Sequence, residues 1–253
     1  MEVKIPKIIH YCWFGGAPKP QSFIDCMASW TQVMPDYQLM CWDEKNSPIA
    51  ECAFAQKAFD LKKWAFVSDY VRLYALYNYG GIYLDIDVIV YKRFDYFLQH
   101  AAFSGIEFHP DLFYRSMKKN KMTGLGIATS VMGSIPSHPL VKICLDYYKD
   151  KHFEATERYM CDMVNTRIIP ELFCPYGFQY IPVYQQLEYD FHIYPPDVFS
   201  SVAPVSLVKY ASHLCANTWR GVCQPHQWKR FILDKIIGQD NWSKIRKYVK
   251  KEK

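Results

Sequence analysis

Asp85 and Asp87, two positions apart, end an apolar run that reads Gly-Ile-Tyr-Leu. Carboxylates are hard oxygen donors. They suit Mg²⁺ or Mn²⁺, ions that take few protein ligands when a diphosphate supplies the rest. On a strand, a spacing of two places both side chains on one face. Just upstream, Asp69 and Arg72 lie three apart in the segment AFVSDYVRLYALYNY. On a helix that spacing puts them side by side. Four charged groups are thus set in a stretch otherwise rich in Val, Leu, Ile and Tyr, where burial without partners is costly. By count alone the aspartate triplet says little, since 16 Asp in this chain yield about one such triplet by chance. By spacing alone the Asp69–Arg72 pair is a surface ion pair of about 0.3 kcal/mol.

The elements that must position these groups read as α/β. Residues 7–14 (KIIHYCWF) form an apolar run without alternation, which fits a strand covered on both faces. A helical pattern over 21–32 follows, then a turn at Pro35-Asp36 and a strand over 37–42. Ser47-Pro48 reads as an N-cap and first helical residue, with helix over 49–61. A second helix runs over 63–79, and Gly80 falls where a left-handed residue ends a helix. Residues 82–90 read as one strand carrying both aspartates. The order β-α-β-α-α-β predicts right-handed crossovers and ligands at the carboxyl ends of the strands, near Trp13, Asp43, Asp85 and Asp87. Beyond this, strands are expected over 101–105, 127–133 and 205–214, with a helix over 139–148 and a polar loop over 109–123.

Composition narrows the function classes. The net charge is +5, but residues 229–253 carry nine Lys or Arg against three acids, so the rest is near neutral. That distribution disfavours a general nucleic-acid groove. Trp242, Ile245, Tyr248 and Val249 recur at helical spacing within this basic segment. Residues 226–253 therefore read as an amphipathic extension to a domain over 1–225. The extension suits an anionic membrane surface or, equally, a solvated terminal helix. The nine Cys are odd in number and without a C-x-x-C pair, which fits reduced thiols in a cytoplasmic protein, bound peripherally at the inner membrane face if the basic segment docks. No run of 18 apolar residues is present, and the first residues read as folded chain rather than a leader. A G-x-x-x-x-G-K phosphate loop is absent, so a nucleotide would be held by metal and by stacking, for which Trp13 is a candidate.

These pieces carry a resemblance. IPKIIHYCWFGG (5–16), Ser29-Trp30 with Pro35-Asp36-Tyr37 and Trp42, AFVSDYVRLYALYNYGGIYLDIDV (65–88) and YASHLCANTW (210–219) resemble glycosyltransferase family 32. That family includes capsular-polysaccharide-type enzymes and is related to the glucosyltransferase domains of clostridial toxins. The resemblance implies a GT-A fold, a Rossmann-like nucleotide-binding sheet in a single domain with Mn²⁺ or Mg²⁺ at the D-x-D motif. It implies retaining transfer of a hexose or N-acetylhexosamine from a nucleotide sugar, with UDP favoured. The acceptor would be a glycan or lipid-linked oligosaccharide of capsule, O-antigen or other surface polysaccharide. By the same resemblance Trp13 stacks on the base, and Asp69 and Arg72 hold the donor sugar. Asp85 contacts ribose, sugar and metal water, and Asp87 ligates the metal. Gly81 lies in the donor site. The family's closing H-H-W-x-x-S-W reads His213-Leu214-Cys215-Ala216-Asn217-Thr218-Trp219 here. His213 then serves as a metal ligand, with Thr218 and Trp219 at the β-phosphate. Two rival readings are a nucleotide-sugar-binding module without turnover and a metal phosphohydrolase with Asp85 as nucleophile.

Overall fold

A continuous apolar strand needs cover on both faces, and here helices supply it on either side of one mixed sheet. The computed structural model describes residues 4–108, 124–200 and 208–215. The first half follows the expected order: β1 (Ile8–Cys12), α1 (Gln21–Val33), β2 (Gln38–Trp42), α2 (Ala53–Asp60), α3 (Trp64–Tyr79) and β3 (Gly81–Leu84). Next come β4 (Val88–Val90), β5 (Ala102–Phe108), β6 (Leu125–Ser134) and α4 (Pro139–Tyr147). The last part holds α5 (Glu157–Asp162), α6 (Asn165–Phe173), β7 (Gln185–Leu187), β8 (Phe191–Tyr194), α7 (Pro196–Phe199) and β9 (Ala211–His213).

Among the described residues the main sheet has seven strands in the order β2-β1-β3-β6-β5-β8-β7, and β4 pairs with β9 in a second, two-stranded sheet. β2, β1 and β3 are parallel. β6 runs antiparallel between β3 and β5, and β8 is parallel to β5. Two cores result. Phe54, Phe66, Leu73, Tyr83, Ile127 and Phe173 belong to one. Trp30, Leu84, Val88, Phe94, Phe97 and Phe103 belong to the other. Successive side chains of β3 point to opposite faces, so Tyr83 joins the first core and Leu84 the second.

Two local expectations change. Ser47 does not cap a helix: a short 3-10 turn over Ile49–Glu51 intervenes before α2, and neither segment has a side-chain cap. Residues 82–90 are not one strand. β3 stops at Leu84, the Asp85–Asp87 stretch turns, and the chain changes sheet at Val88. Gly80 keeps its expected positive φ, at 65°, where an added Cβ would lie 2.6 Å from Pro136 Cδ. Of the strand expected over 205–214, Ala211–His213 form β9, and residues 205–207 lie outside the described residues. The loop expected over 109–123, Thr218, Trp219 and the extension over 226–253 lie outside the described residues. Among the described residues no helix is long and apolar enough to cross a membrane.

Candidate active site

The turn between the two sheets builds the site. Asp85 N donates to Ser130 O at 3.0 Å, which holds the turn to β6, and Val88 N donates to Asp85 O at 3.0 Å, which closes it. α1 fastens the outgoing strand: Trp30 Nε1 donates to Val88 O at 2.8 Å, and Ser29 Oγ accepts from Val90 N at 2.9 Å. β9 then pairs with β4 so that His213 stands opposite Val88. Leu214 N donates to Asp87 O at 2.9 Å. The two aspartates therefore share a target through a turn, not through strand alternation. His213 Nε2 lies 3.1 Å from Asp87 Oδ1 and 3.9 Å from Asp85 Oδ2. Asp85, Asp87 and His213 each offer a ligand atom within 4.8 Å of the others. Burial works against a proton on His213, but Asp87 and Cys215 outweigh it and raise the imidazole pKa well above its usual value.

Arg72 links this cluster to α3. Its Nη2 lies 3.1 Å from Asp69 Oδ1 and 3.4 Å from Asp85 Oδ1. Its Nη1 donates to Thr129 O at 2.8 Å and Thr129 Oγ1 at 3.1 Å, and its Nε donates to Ser68 O. The guanidinium also covers the Tyr83 ring at 4.6 Å, and Tyr83 OH donates to Asp85 Oδ1 at 3.0 Å. Arg72 is 5% exposed, so this is no surface ion pair. The reason is α3 itself, which is buried on most of its circumference and turns Asp69 and Arg72 towards β6. Burial lifts the Asp69 carboxyl to about 6; Arg72 opposes the rise and Asp85 adds to it. Burial also opposes the Arg72 charge, yet Asp85, Tyr83 and Asp69 together hold its pKa above the ordinary guanidinium value.

Four further contributors carry little or no signal in the sequence. Thr129 and Ser130 form a polar pair inside the apolar strand IATSVMG, a signal that was available. Tyr83 gave none, being one apolar-strand aromatic among many. Asn165 is 96 residues from Asp69, yet its Nδ2 donates to Asp69 O at 3.1 Å, and its Oδ1 accepts from Tyr148 OH at 2.6 Å. Trp13 follows the carboxyl end of β1, half-buried, with its Nε1 donating to Ala17 O at 2.7 Å and Lys19 Nζ 5.3 Å from its ring. Asp43 is taken up in a local turn, accepting from Lys45 N. Gly81 departs from expectation. It opens β3, about 13 Å of strand before Asp85, and is buried. Its missing side chain is explained by packing, since a Cβ there would lie 2.7 Å from Ile8 O.

Part of this region matches a known family. Residues 20–104, which include Asp69, Arg72, Asp85 and Asp87, match the family model described as a glycosyltransferase sugar-binding region containing a DXD motif. The fold is GT-A: the structure of PaToxG glycosyltransferase superposes with a TM-score of 0.51 at 15% identity, over 68% of this chain and 69% of that one. The motif of a sugar-binding region thus sits on a GT-A fold. Among named proteins, inositol phosphoceramide mannosyltransferase 2 of Schizosaccharomyces pombe is 26% identical over 65% of this chain and 44% of its own length. Mannosyl phosphorylinositol ceramide synthase CSH1 of Saccharomyces cerevisiae is 27% identical over 53% of this chain and 32% of its own. The chain thus spans less than half the length of these relatives. Their names are those of fungal mannosyltransferases, not of capsular enzymes.

Proposed function

We infer that this chain transfers a hexose or N-acetylhexosamine from a nucleotide sugar to an acceptor hydroxyl, with a divalent cation at Asp85, Asp87 and His213. One observation carries the reading. The buried Asp69–Arg72–Asp85 network adjoins the Asp85–Asp87–His213 cluster, so a polar wall able to hold sugar hydroxyls meets a set of cation ligands. Two carboxylates and an imidazole, with Asp85 and His213 about a quarter exposed, fit an oxygen-preferring ion that keeps positions for diphosphate oxygens. When bound, that ion stabilises charge on the departing diphosphate.

The protein's own groups do the rest. Arg72 fixes the Asp69 and Asp85 carboxylates before substrate arrives, which lowers the cost of ordering them later. Asp69 accepts from donor-sugar hydroxyls. Trp13, at the carboxyl end of β1, stacks on the base. Thr218 and Trp219 are assigned to the β-phosphate by resemblance. Retention follows if the acceptor hydroxyl attacks from the face the diphosphate leaves and gives its proton to the departing phosphate oxygen. The pattern around Trp13 favours UDP, while the mannosyltransferase names of the relatives put mannose nucleotides in the same screen. Those names also favour a lipid-borne inositol or sugar hydroxyl as acceptor over capsule or O-antigen glycan. An acceptor of that kind suits a membrane surface, where the basic residues 229–253 would dock. The test is hydrolysis of UDP- and GDP-linked hexoses with Mn²⁺, Mg²⁺ or EDTA. Metal-dependent release of one sugar is the expected result, and phosphate release from simple monoesters instead would favour the phosphohydrolase.

A further inference from the structure

β3 and β5 are both antiparallel to β6, so they run in the same direction, and β8 is parallel to β5. Asp85 and Asp87 follow the carboxyl end of β3. His100 precedes β5, and Asp190 and His192 stand at the start of β8, so these three lie at the opposite end of the sheet. His192 Nε2 is 2.8 Å from Asp190 Oδ1. The imidazoles of His100 and His192 stack with centroids 3.6 Å apart. The three residues each offer a ligand atom within 4.8 Å of the others.

The surroundings of the trio resemble the outer shell of a metal centre. Tyr184 OH lies 2.6 Å from His192 Nδ1, and Tyr194 OH lies 2.8 Å from His100 Nε2. Ligating imidazoles have their second nitrogen hydrogen-bonded in this way, and a hydroxyl can accept as well as donate, so it serves either tautomer. Asp190 is aimed by strained backbone. Tyr189 and Asp190 both have positive φ, 58° and 57°. Such conformations persist only where neighbours hold them. Here His138 Nε2 lies 2.9 Å from Tyr189 O, and Asp190 Oδ2 accepts from Ala101 N at 2.9 Å and from Lys4 Nζ at 3.1 Å. Oδ1 is thereby left facing His192.

We propose that His100, Asp190 and His192 form a second cation site, which takes Zn²⁺ or another late first-row divalent ion. Two imidazoles and one carboxylate favour such an ion, whereas the two carboxylates of the D-x-D turn favour Mg²⁺ or Mn²⁺. The rings must splay from their stack and Lys4 must release Asp190, so affinity falls below that of a preformed zinc site. Binding ties the segment before β5 to the start of β8 and so stabilises the fold.

The test uses the full chain with Asp87→Asn and His213→Ala, which silence the other cluster. Co²⁺ is titrated as a spectroscopic probe and Zn²⁺ by calorimetry. The expected result is a single bound equivalent with the visible absorption of four-coordinate Co²⁺, displaced by Zn²⁺ and not by Mg²⁺. Asp190→Asn and His100→Ala should each weaken binding about tenfold or more. Lys4→Met, which removes no ligand, should tighten it several-fold, a change that a merely structural role for the trio would not produce. Absence of a bound equivalent overturns the proposal, as does affinity unchanged in Asp190→Asn. If the ligand variants fail to fold, unchanged affinity in Lys4→Met overturns it alone.

Discussion

Arg72 Nη2 stands 3.4 Å from Asp85 Oδ1, and this contact joins the helix before the glycines to the turn after them. Arg72 is charged and almost wholly buried, so its partners are needed to hold it there. Removing the guanidinium leaves Asp69 and Asp85 without their cation in a desolvated place. Arg72→Met should therefore cost about 3–5 kcal/mol of stability and abolish transfer, checked by urea unfolding and donor turnover. Arg72→Lys should keep more stability but lose at least about tenfold in turnover, because an ammonium cannot span Thr129, Asp69 and Asp85 together.

His10 sets an acid limit on the fold. Trp42 Nε1 donates to its Nδ1 at 3.1 Å, and its Nε2 donates to Gly80 O at 2.7 Å. Burial depresses its pKa to about 4, against the Gly80 bond, so the folded state holds it neutral. The unfolded chain binds the proton more readily. Stability from this group is complete above the unfolded value near 6.5 and is lost as pH falls towards 4, by about 3 kcal/mol. Urea unfolding of the wild type and His10→Asn should differ by that amount more at pH 7 than at pH 4.

Asp69 shows the opposite slope. Its folded pKa is raised to about 6 by burial, so it favours the fold fully below its unfolded value and loses that contribution as pH rises through 6. Asp69→Asn should reduce stability less at pH 8 than at pH 4, while donor turnover falls at both. Full donor hydrolysis by Asp69→Asn would refute its role at the sugar.

The pins of β4 should matter to activity without touching substrate. Trp30→Phe leaves Val88 O unpaired in the core and should cost about 1–3 kcal/mol. Because β4 carries β9, and β9 carries His213, the metal concentration for half-maximal activity should rise as well. A variant that is only less stable, with unchanged metal dependence, would contradict that link.

The sequence made the helix–glycine–strand core and the parallel β1–β3 half legible, because apolar runs, helical spacing and Gly80 each have a local cause. It also supplied Asp69, Arg72, Asp85 and Asp87, though for Asp85 and Asp87 by a different geometry than a strand. The break after Leu84 was hidden because Asp85–Asp87 continues a β-rich pattern, and only pairing to the distant β9 reveals it. Ser29, Trp30, Asp36 and Trp42, quoted in the resemblance, prove to be fasteners: Asp36 bonds Lys7 and Arg93, and Trp42 holds His10. Asn165 was illegible because its contact with Asp69 depends on how α6 packs against β6.

If the Asp85–Asp87–His213 cluster supports nucleotide-sugar chemistry, turnover depends on Asp87 and on a divalent ion. The most direct measurement compares the wild-type chain with Asp87→Asn in a Mn²⁺-dependent donor-hydrolysis assay, with thermal unfolding as the control for folding. The expected result is activity in the wild type, abolished by EDTA, and none in a folded Asp87→Asn. Activity retained by Asp87→Asn, or undiminished by EDTA, would contradict it.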